Sequence, residues 1–313
     1  MRLSSLLTNV KFVFGVAIIL ALVFPQPVFE FGLSDWMVPV LAFVMVFSLM
    51  KVKVLKPTNH EMWVTVKLIL INYFVLTLLY IIFGHLFITD ENFRAGLIMI
   101  GLMPPAVAIV SYTVLLKGHF KESLLAEVLG YLLSLFLVPA LVYIIFGESV
   151  DIMLLLELLV IMIVIPLLLG PLLGHVQDKY FKRELVPRKE LIMLGTGFFF
   201  YILIGLNRDL LVNNFTQTLP IWFTLIVIKF VFVMILYYLI RCKIANEESV
   251  DYVLFASFKT VGVAAAALIA LGFDESATLP VAIDGVLFML QLIYLEYILS
   301  PRHFKKVCKR VLH

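Results

Sequence analysis

Ten long apolar segments, separated by short gaps, constrain this chain more than any other feature of its sequence. They lie near residues 10–26, 34–50, 62–87, 92–116, 122–146, 151–175, 189–206, 218–240, 248–272 and 276–300. About 20 apolar residues cross a bilayer core, and backbone in lipid must satisfy its own hydrogen bonds, which favours helices. With 63% hydrophobic residues, a soluble globular protein is excluded. We predict an all-α membrane protein of ten transmembrane helices without a soluble domain.

Lys and Arg residues are distributed unevenly between the gaps. Most of the 24 lie at the chain ends and in the even-numbered gaps, whereas the odd-numbered gaps and the segment ends beside them hold only Arg94 and Arg208. Cytoplasmic loops are enriched in Lys and Arg. The pattern therefore predicts a multi-pass protein of the plasma or inner membrane, with both termini in the cytoplasm. Neither Cys242 nor Cys308 belongs to a metal-ligand spacing, so we expect no metal and no cofactor.

The ten segments divide into two sets of five, which predicts inverted repeats at residues 1–147 and 148–313. An odd number of crossings in the first half inverts the second half across the membrane. Both halves contain a Gly followed closely by Glu-Ser, within 115–128 and 269–282. Two unrelated turn and helix-start signals would give the same pattern. Inverted repeats are common in secondary transporters, whose sites lie where broken helices meet.

The fourth and ninth segments are the irregular ones. Pro104 and Pro105 remove two backbone N–H groups near the middle of the fourth, and the ninth is rich in small residues. We predict that both helices break and cross at the bilayer midplane. A simple kink with a small-residue packing face is the alternative. The predicted substrate site at this crossing consists of Met103, Pro104, Pro105, Ala106, Lys259, Thr260 and Gly262.

Three lysines lie inside apolar segments and away from their first two residues. Lys67 is close to the cytoplasmic end of the third, where its ammonium can snorkel to the interface. Lys229 and Lys259 lie near mid-segment, where an ammonium costs about 2.5–3.5 kcal/mol to insert. We predict that Lys259 pairs with Glu127 or, in second place, Asp284, and that Lys229 is buried or paired structurally. Glu127, Lys259 and Asp284 are the predicted coupling residues, because a buried carboxyl can carry a proton.

Two stretches resemble the bile acid:sodium symporters. MPPAVAIVSYTVLLKGHFKESLLAEVLGYLLSLFLVPALVYII (103–145) is similar to their fourth and fifth spans, and FKTVGVAAAALIALGFDESATLPVAIDGVLFML (258–290) to their ninth and tenth. The resemblance places the chain in the superfamily of bile acid, arsenite and riboflavin transporters, related to auxin-efflux-type carriers. It implies ten spans, inverted repeats and secondary transport.

The chain departs from that family at the positions where the resemblance implies sodium ligands. Sodium requires a cage of oxygen atoms, which aliphatic and aromatic carbons do not supply. We therefore expect no sodium coupling, with the Lys259 ammonium in place of a bound cation. Arsenite export is disfavoured, because no apolar segment contains a Cys as a soft ligand. The departing residues are Ile109 and Val110, Glu127 and Tyr131, and Phe255 and Lys259.

These features predict a secondary active transporter of a small organic anion that works by alternating access. Its coupling ion is expected not to be sodium, and a proton is the candidate. Its partners would be the anionic substrate and the lipid bilayer, without nucleic acid. A membrane receptor or scaffold that keeps the transporter fold without transport is the alternative. An enzyme is not expected, because the sequence has no nucleophile–base pair, metal motif or phosphate loop.

Overall fold

The computed structural model describes residues 10–23, 36–50, 57–147, 150–181, 188–241 and 243–299. All regular elements in these ranges are helical. The chain ends predicted to be cytoplasmic lie partly outside them, as do Cys242 and Cys308. The helices are α1 Val10–Val23, α2 Met37–Leu49, α3 Asn59–Phe87, α4 Glu91–Leu102, α5 Ala108–Leu116, α6 Phe120–Phe146, α7 Ile152–Tyr180, α8 Arg188–Leu206, α9 Arg208–Val212, α10 Phe215–Ile240, α11 Asn246–Phe255, α12 Val261–Ala270 and α13 Leu279–Ile298.

Six helical stretches in the described residues are long and apolar enough to cross a membrane. They are α3, α6, α7, α8, α10 and the stretch Glu275–Ile298, which comprises one 3₁₀ turn and α13. Three shorter apolar helices fall within α1, α2 and α12. The chain is therefore an all-α, multi-pass membrane protein. The count of ten spans and the inverted repeats remain predictions.

Polar residues next to the apolar segments fix where several helices begin. Thr58 accepts a hydrogen bond from the backbone N–H of Glu61, whose carboxylate accepts from the Thr58 N–H in return. Asp90 and Asp151 cap α4 and α7 through the backbone N–H groups of their first turns. Such caps satisfy N–H groups that have no partner within the helix. They hold the ends of the apolar helices in place.

The fourth and ninth segments are interrupted. The fourth forms α4 and α5, separated by residues 103–107, and the ninth forms α11 and α12, separated by residues 256–260. Pro104 and Pro105 explain the first break, because neither can donate the backbone hydrogen bond that a continuous helix needs. The second break contains no proline, so its irregular backbone depends on contacts with other parts of the chain.

The helices pack in two groups. One contains α1, α2, α7 and α8, in which α8 lies along both α1 and α2, and α7 packs on α2. The larger group contains α3 to α6 and α10 to α13, and it surrounds both breaks. Gly130 in α6 lets the backbone approach Pro105, since a Cβ on Gly130 would lie 2.9 Å from the proline ring. The breaks are thus held inside the larger group.

The predicted orientation can be tested with introduced cysteines. In a variant without Cys242 and Cys308, a Cys at Glu91, whose side chain is 90% exposed, should react with a membrane-impermeant maleimide in intact cells. A Cys at Lys243 should react only after permeabilisation, because the positive-inside pattern places it in the cytoplasm. Reaction of the Glu91 position only after permeabilisation would contradict the ten-span topology.

Candidate functional site

The two helix breaks lie against each other and form a crossover. Pro105 and Lys259 pair in an antiparallel arrangement. The Thr260 backbone N–H donates to the Pro104 carbonyl at 2.9 Å, and the Thr260 hydroxyl donates to the Pro105 carbonyl at 2.7 Å. Each break therefore supplies hydrogen-bond partners to the other, which explains how polar backbone can persist among apolar helices.

The Lys259 ammonium lies within the crossover. Its Nζ donates to the Met103 carbonyl at 2.9 Å and to the Thr77 hydroxyl at 3.2 Å, and it lies 4.8 Å from the centre of the Tyr73 ring. The residue is 4% exposed. No carboxylate of the described residues lies within 4.0 Å of it. Among the described residues, its hydrogen-bond partners and the adjacent ring are all neutral.

Helix α3 supports the crossover through a π-helical turn at Ile71–Leu76. Asn72 in this turn donates its side-chain N–H groups to the carbonyls of Phe255 and Phe258 at 2.8 and 3.1 Å. The Tyr73 hydroxyl donates to the Gly130 carbonyl at 2.8 Å. The two Asn72 bonds satisfy backbone carbonyls at the start of the second break and within it and tie the break to α3, and the Tyr73 bond joins α3 to α6. They are the contacts on which the proline-free break depends.

Glu127 approaches the crossover from α6. Its side chain is 2% exposed, and its carboxyl faces the backbone N–H of Val110 in the first turn of α5. Its Oε2 has no hydrogen-bond partner among the described residues. Tyr131, one turn further along α6, lies next to Glu127 and Thr260. A carboxyl in this place is close to the positive end of a helix dipole.

A second polar centre joins α10 to α13. The Lys229 Nζ lies 2.8 Å from Asp284 Oδ1, and the two side chains are 2% and 1% exposed. The Tyr80 hydroxyl contacts the same Asp284 oxygen at 3.5 Å, and Gln291 donates to the Lys229 carbonyl at 3.1 Å. Lys229 lies in a π-helical turn, Val227–Phe232. The pair is a fully buried ion pair supported by hydrogen bonds.

The predicted site residues fall into three places. Met103, Pro104, Pro105, Ala106, Lys259 and Thr260 all belong to the crossover. Gly262 instead packs against Leu41 of α2, where an added Cβ would lie 2.7 Å from a leucine methyl. Asp284 belongs to the second centre. The expected ion pair between Lys259 and Glu127 is not formed, and the alternative with Asp284 is not formed either, because Asp284 pairs with Lys229.

Several residues of the site were not predicted. Asn72, Tyr73 and Thr77 contact the crossover from α3, and Tyr80 contacts Asp284. The available signal was the polar spacing in INYFVLTLLY (71–80), since Asn72 and Thr77 interrupt an otherwise apolar helix. Spacing alone does not tell which helix such residues face.

One comparison with known proteins identifies a family. The model of the Sodium Bile acid symporter family matches residues 33–214, which is more than half of the chain. The match includes the first break and Glu127 and ends before Lys259 and Asp284. No curated protein sequence matches the chain.

Proposed function

The chain belongs to the sodium bile acid symporter family, and on this basis we propose that it is a secondary transporter of a small organic anion. The general class, a membrane protein of a transporter family, follows from the family match. The anionic substrate and the alternating-access mechanism rest on the geometry of the crossover.

The observation that carries the proposal is the ammonium of Lys259, whose partners in the described part of the chain are all neutral. It lies in a water-poor setting where a charge is costly without a counter-ion. Helices α5 and α12 both begin at the crossover, and helix N-termini attract anions. A carboxylate or sulfonate of the substrate would supply the missing negative charge. Thr260 is half-buried and offers a hydroxyl next to this position.

The proposed transport does not use sodium at the crossover. The carbonyls of Met103, Pro104 and Pro105 already accept hydrogen bonds from Lys259 and Thr260. A cation bound at this break would need such oxygens as ligands, and these are already engaged by the two residues. The Lys259 ammonium thus takes the role of a fixed cation that holds the breaks together. Ile109 and Phe255 are fully buried, and their side chains add no oxygen.

Glu127 is the proposed coupling residue. Its carboxyl adjoins the crossover through Val110, and one of its oxygens has no partner in the described part of the chain. When the site faces water on one side and then the other, this carboxyl can take up and release a proton. Asp284 is less suited to this role, because its carboxylate is already paired with the Lys229 ammonium.

The inverted repeat at 1–147 and 148–313 is part of the same proposal. Two corresponding helices, α3 and α10, each contain a π-helical turn with polar side chains, at Ile71–Leu76 and Val227–Phe232. Such turns often lie at functional sites. Alternating access would follow if the larger helix group, which holds the crossover, moves against α1, α2, α7 and α8.

The test is uptake by proteoliposomes that contain the purified chain. Radiolabelled taurocholate and a panel of smaller carboxylates would be supplied under an imposed sodium gradient or an imposed pH gradient. We expect uptake of at least one anion to follow the pH gradient and to be unchanged by sodium. Uptake that rises steeply with the sodium gradient at fixed pH and voltage would contradict the assignment of Lys259 as a fixed cation.

Glu127→Gln provides the matched variant for the coupling ion. Glutamine keeps the shape of the side chain but cannot release a proton, so uptake should lose its dependence on the pH gradient while exchange of substrate across the membrane continues. Glu122→Gln on the same helix, where Glu122 is half-buried in the first turn, should behave as the wild type. Binding of the anion without any uptake or exchange would favour the receptor alternative.

A further inference from the structure

A surface cavity lies between the first turns of α3 and the start of α11. It has a volume of ≈ 360 Å³ and is lined by His60, Trp63, Val64, Lys67 and Glu248. A water in the liquid occupies about 30 Å³, so the cavity has room for a small polar group of several heavy atoms. It is separate from the crossover, and nothing in the proposed transport uses it.

The cavity is lined by a basic and an acidic side chain that do not form an ion pair with each other among the described residues. Lys67 and Glu248 line it from different helices, and no ion pair within 4.0 Å joins them in the part of the chain that the structure describes. His60 adds two ring nitrogens on the side of Lys67. The Tyr252 side chain, one turn further along α11, lies next to Glu248. Opposite charges that are held apart complement a ligand that itself carries both charges.

The surroundings of the cavity are those of a membrane interface. The residues from α3 come from the first turns of an apolar helix whose polar start is capped by Thr58. Trp63 is 66% exposed, and tryptophan is enriched where membrane meets water. Exposed apolar side chains continue along the same helix: Met62, Trp63, Val66 and Leu70. A ligand with a polar head in the cavity would find an apolar surface for its tails directly beside it.

We propose that this cavity binds the headgroup of phosphatidylethanolamine. The lipid phosphate would accept hydrogen bonds from the Lys67 ammonium and a His60 N–H, since charge-assisted hydrogen bonds of this kind are strong. The lipid ammonium would bind the Glu248 carboxylate, with the Trp63 ring face as a second contact. The acyl chains would lie along α3. The exposed apolar side chains there select a lipid over a soluble phosphate ester.

Native mass spectrometry of the full-length chain in detergent tests this site. Dioleoyl phosphatidylethanolamine should bind at least about tenfold more tightly than dioleoyl phosphatidylglycerol, which has no ammonium, and phosphatidylcholine, whose ammonium has no N–H to donate. Soluble glycerophosphoethanolamine should not compete at equal concentration. Lys67→Gln and Glu248→Gln should each weaken phosphatidylethanolamine binding about tenfold, because each removes one of the two charges.

Matched controls separate this site from general lipid adhesion. Lys243→Gln removes an exposed lysine outside the cavity, and Trp36→Leu removes another exposed tryptophan; both should leave binding unchanged. Trp63→Leu should weaken it. All of these side chains are exposed or half-buried, and unchanged melting temperatures would show that the variants fold. Equal binding of phosphatidylglycerol together with no effect of Glu248→Gln, or the absence of saturable binding, would overturn the proposal.

Discussion

The Asp284→Asn variant is expected to unfold far more easily than the wild type, by about 3–5 kcal/mol in free energy of unfolding. Asp284 and Lys229 lie 2.8 Å apart and are almost completely buried. The substitution leaves the Lys229 ammonium without its counter-ion inside a helix bundle. Tyr80 and the Phe258 ring also lie next to the pair, but neither can neutralise an ammonium. Lys229→Met should cost a similar amount, because it leaves the Asp284 carboxylate alone.

The double variant Lys229→Met/Asp284→Asn is expected to recover most of this loss. Removing both charges removes the unpaired group and its desolvation penalty, and such replacements are often neutral or stabilising. Denaturant or thermal unfolding in a mild detergent would measure all three variants. If the loss in the double variant equals the sum of the single losses, the two residues are independent and the ion pair does not exist.

A more exposed pair supplies the control for this measurement. Lys121 and Glu61 also lie 2.7 Å apart, but their side chains are 33% and 18% exposed. Water already solvates both groups, so exposed pairs contribute little. Lys121→Met and Glu61→Gln should therefore change unfolding far less than the buried substitutions. If either substitution lowered the free energy of unfolding as much as Asp284→Asn does, burial would not be the reason for the importance of the Lys229–Asp284 pair.

The sequence predicted those features of the crossover that follow from local chemistry. Two adjacent prolines remove two backbone hydrogen-bond donors from any helix that contains them, so the break at Pro104 and Pro105 could be inferred from the local sequence alone. The hydropathy of the segments likewise requires helices. The second break could be located from Thr260 beside Lys259, but its stability depends on Asn72, which is 183 residues away from Phe255.

The pairing of the buried charges could not be predicted, for a geometric reason. Position in an apolar segment gives the depth of a charged residue in the membrane, but not the direction in which its side chain leaves the helix. Glu127 and Asp284 lie at similar depths in corresponding helices, so depth did not separate them as partners of Lys259. The structure directs Asp284 towards Lys229 on α10 and leaves Lys259 with neutral oxygens. Those oxygens belong to Thr77 and a backbone carbonyl, which no charge pattern reveals.

Lys259→Met is expected to abolish anion uptake while the protein remains folded. Removing one partner of a buried, hydrogen-bonded charge pair costs about 2–5 kcal/mol, so uptake at low substrate concentration should fall by at least about 30-fold. Some stability should be lost with the hydrogen bonds to Met103 and Thr77, but the protein should remain folded, because the substitution leaves no unpaired charge behind. Methionine also retains much of the length of the side chain among Tyr73, Thr77 and Met103.

The contrast with Lys229 makes this result specific. Lys229→Met in the Asp284→Asn background also removes a deeply buried ammonium, yet it should keep substantial uptake, because that charge is already neutralised by its partner. Uptake of radiolabelled anions into proteoliposomes, with unfolding measured on the same preparations, would compare the two variants. If Lys259→Met transports normally, the crossover charge does not bind the anion. If it unfolds as readily as Asp284→Asn, Lys259 has a counter-ion, and its neutral surroundings do not account for its role.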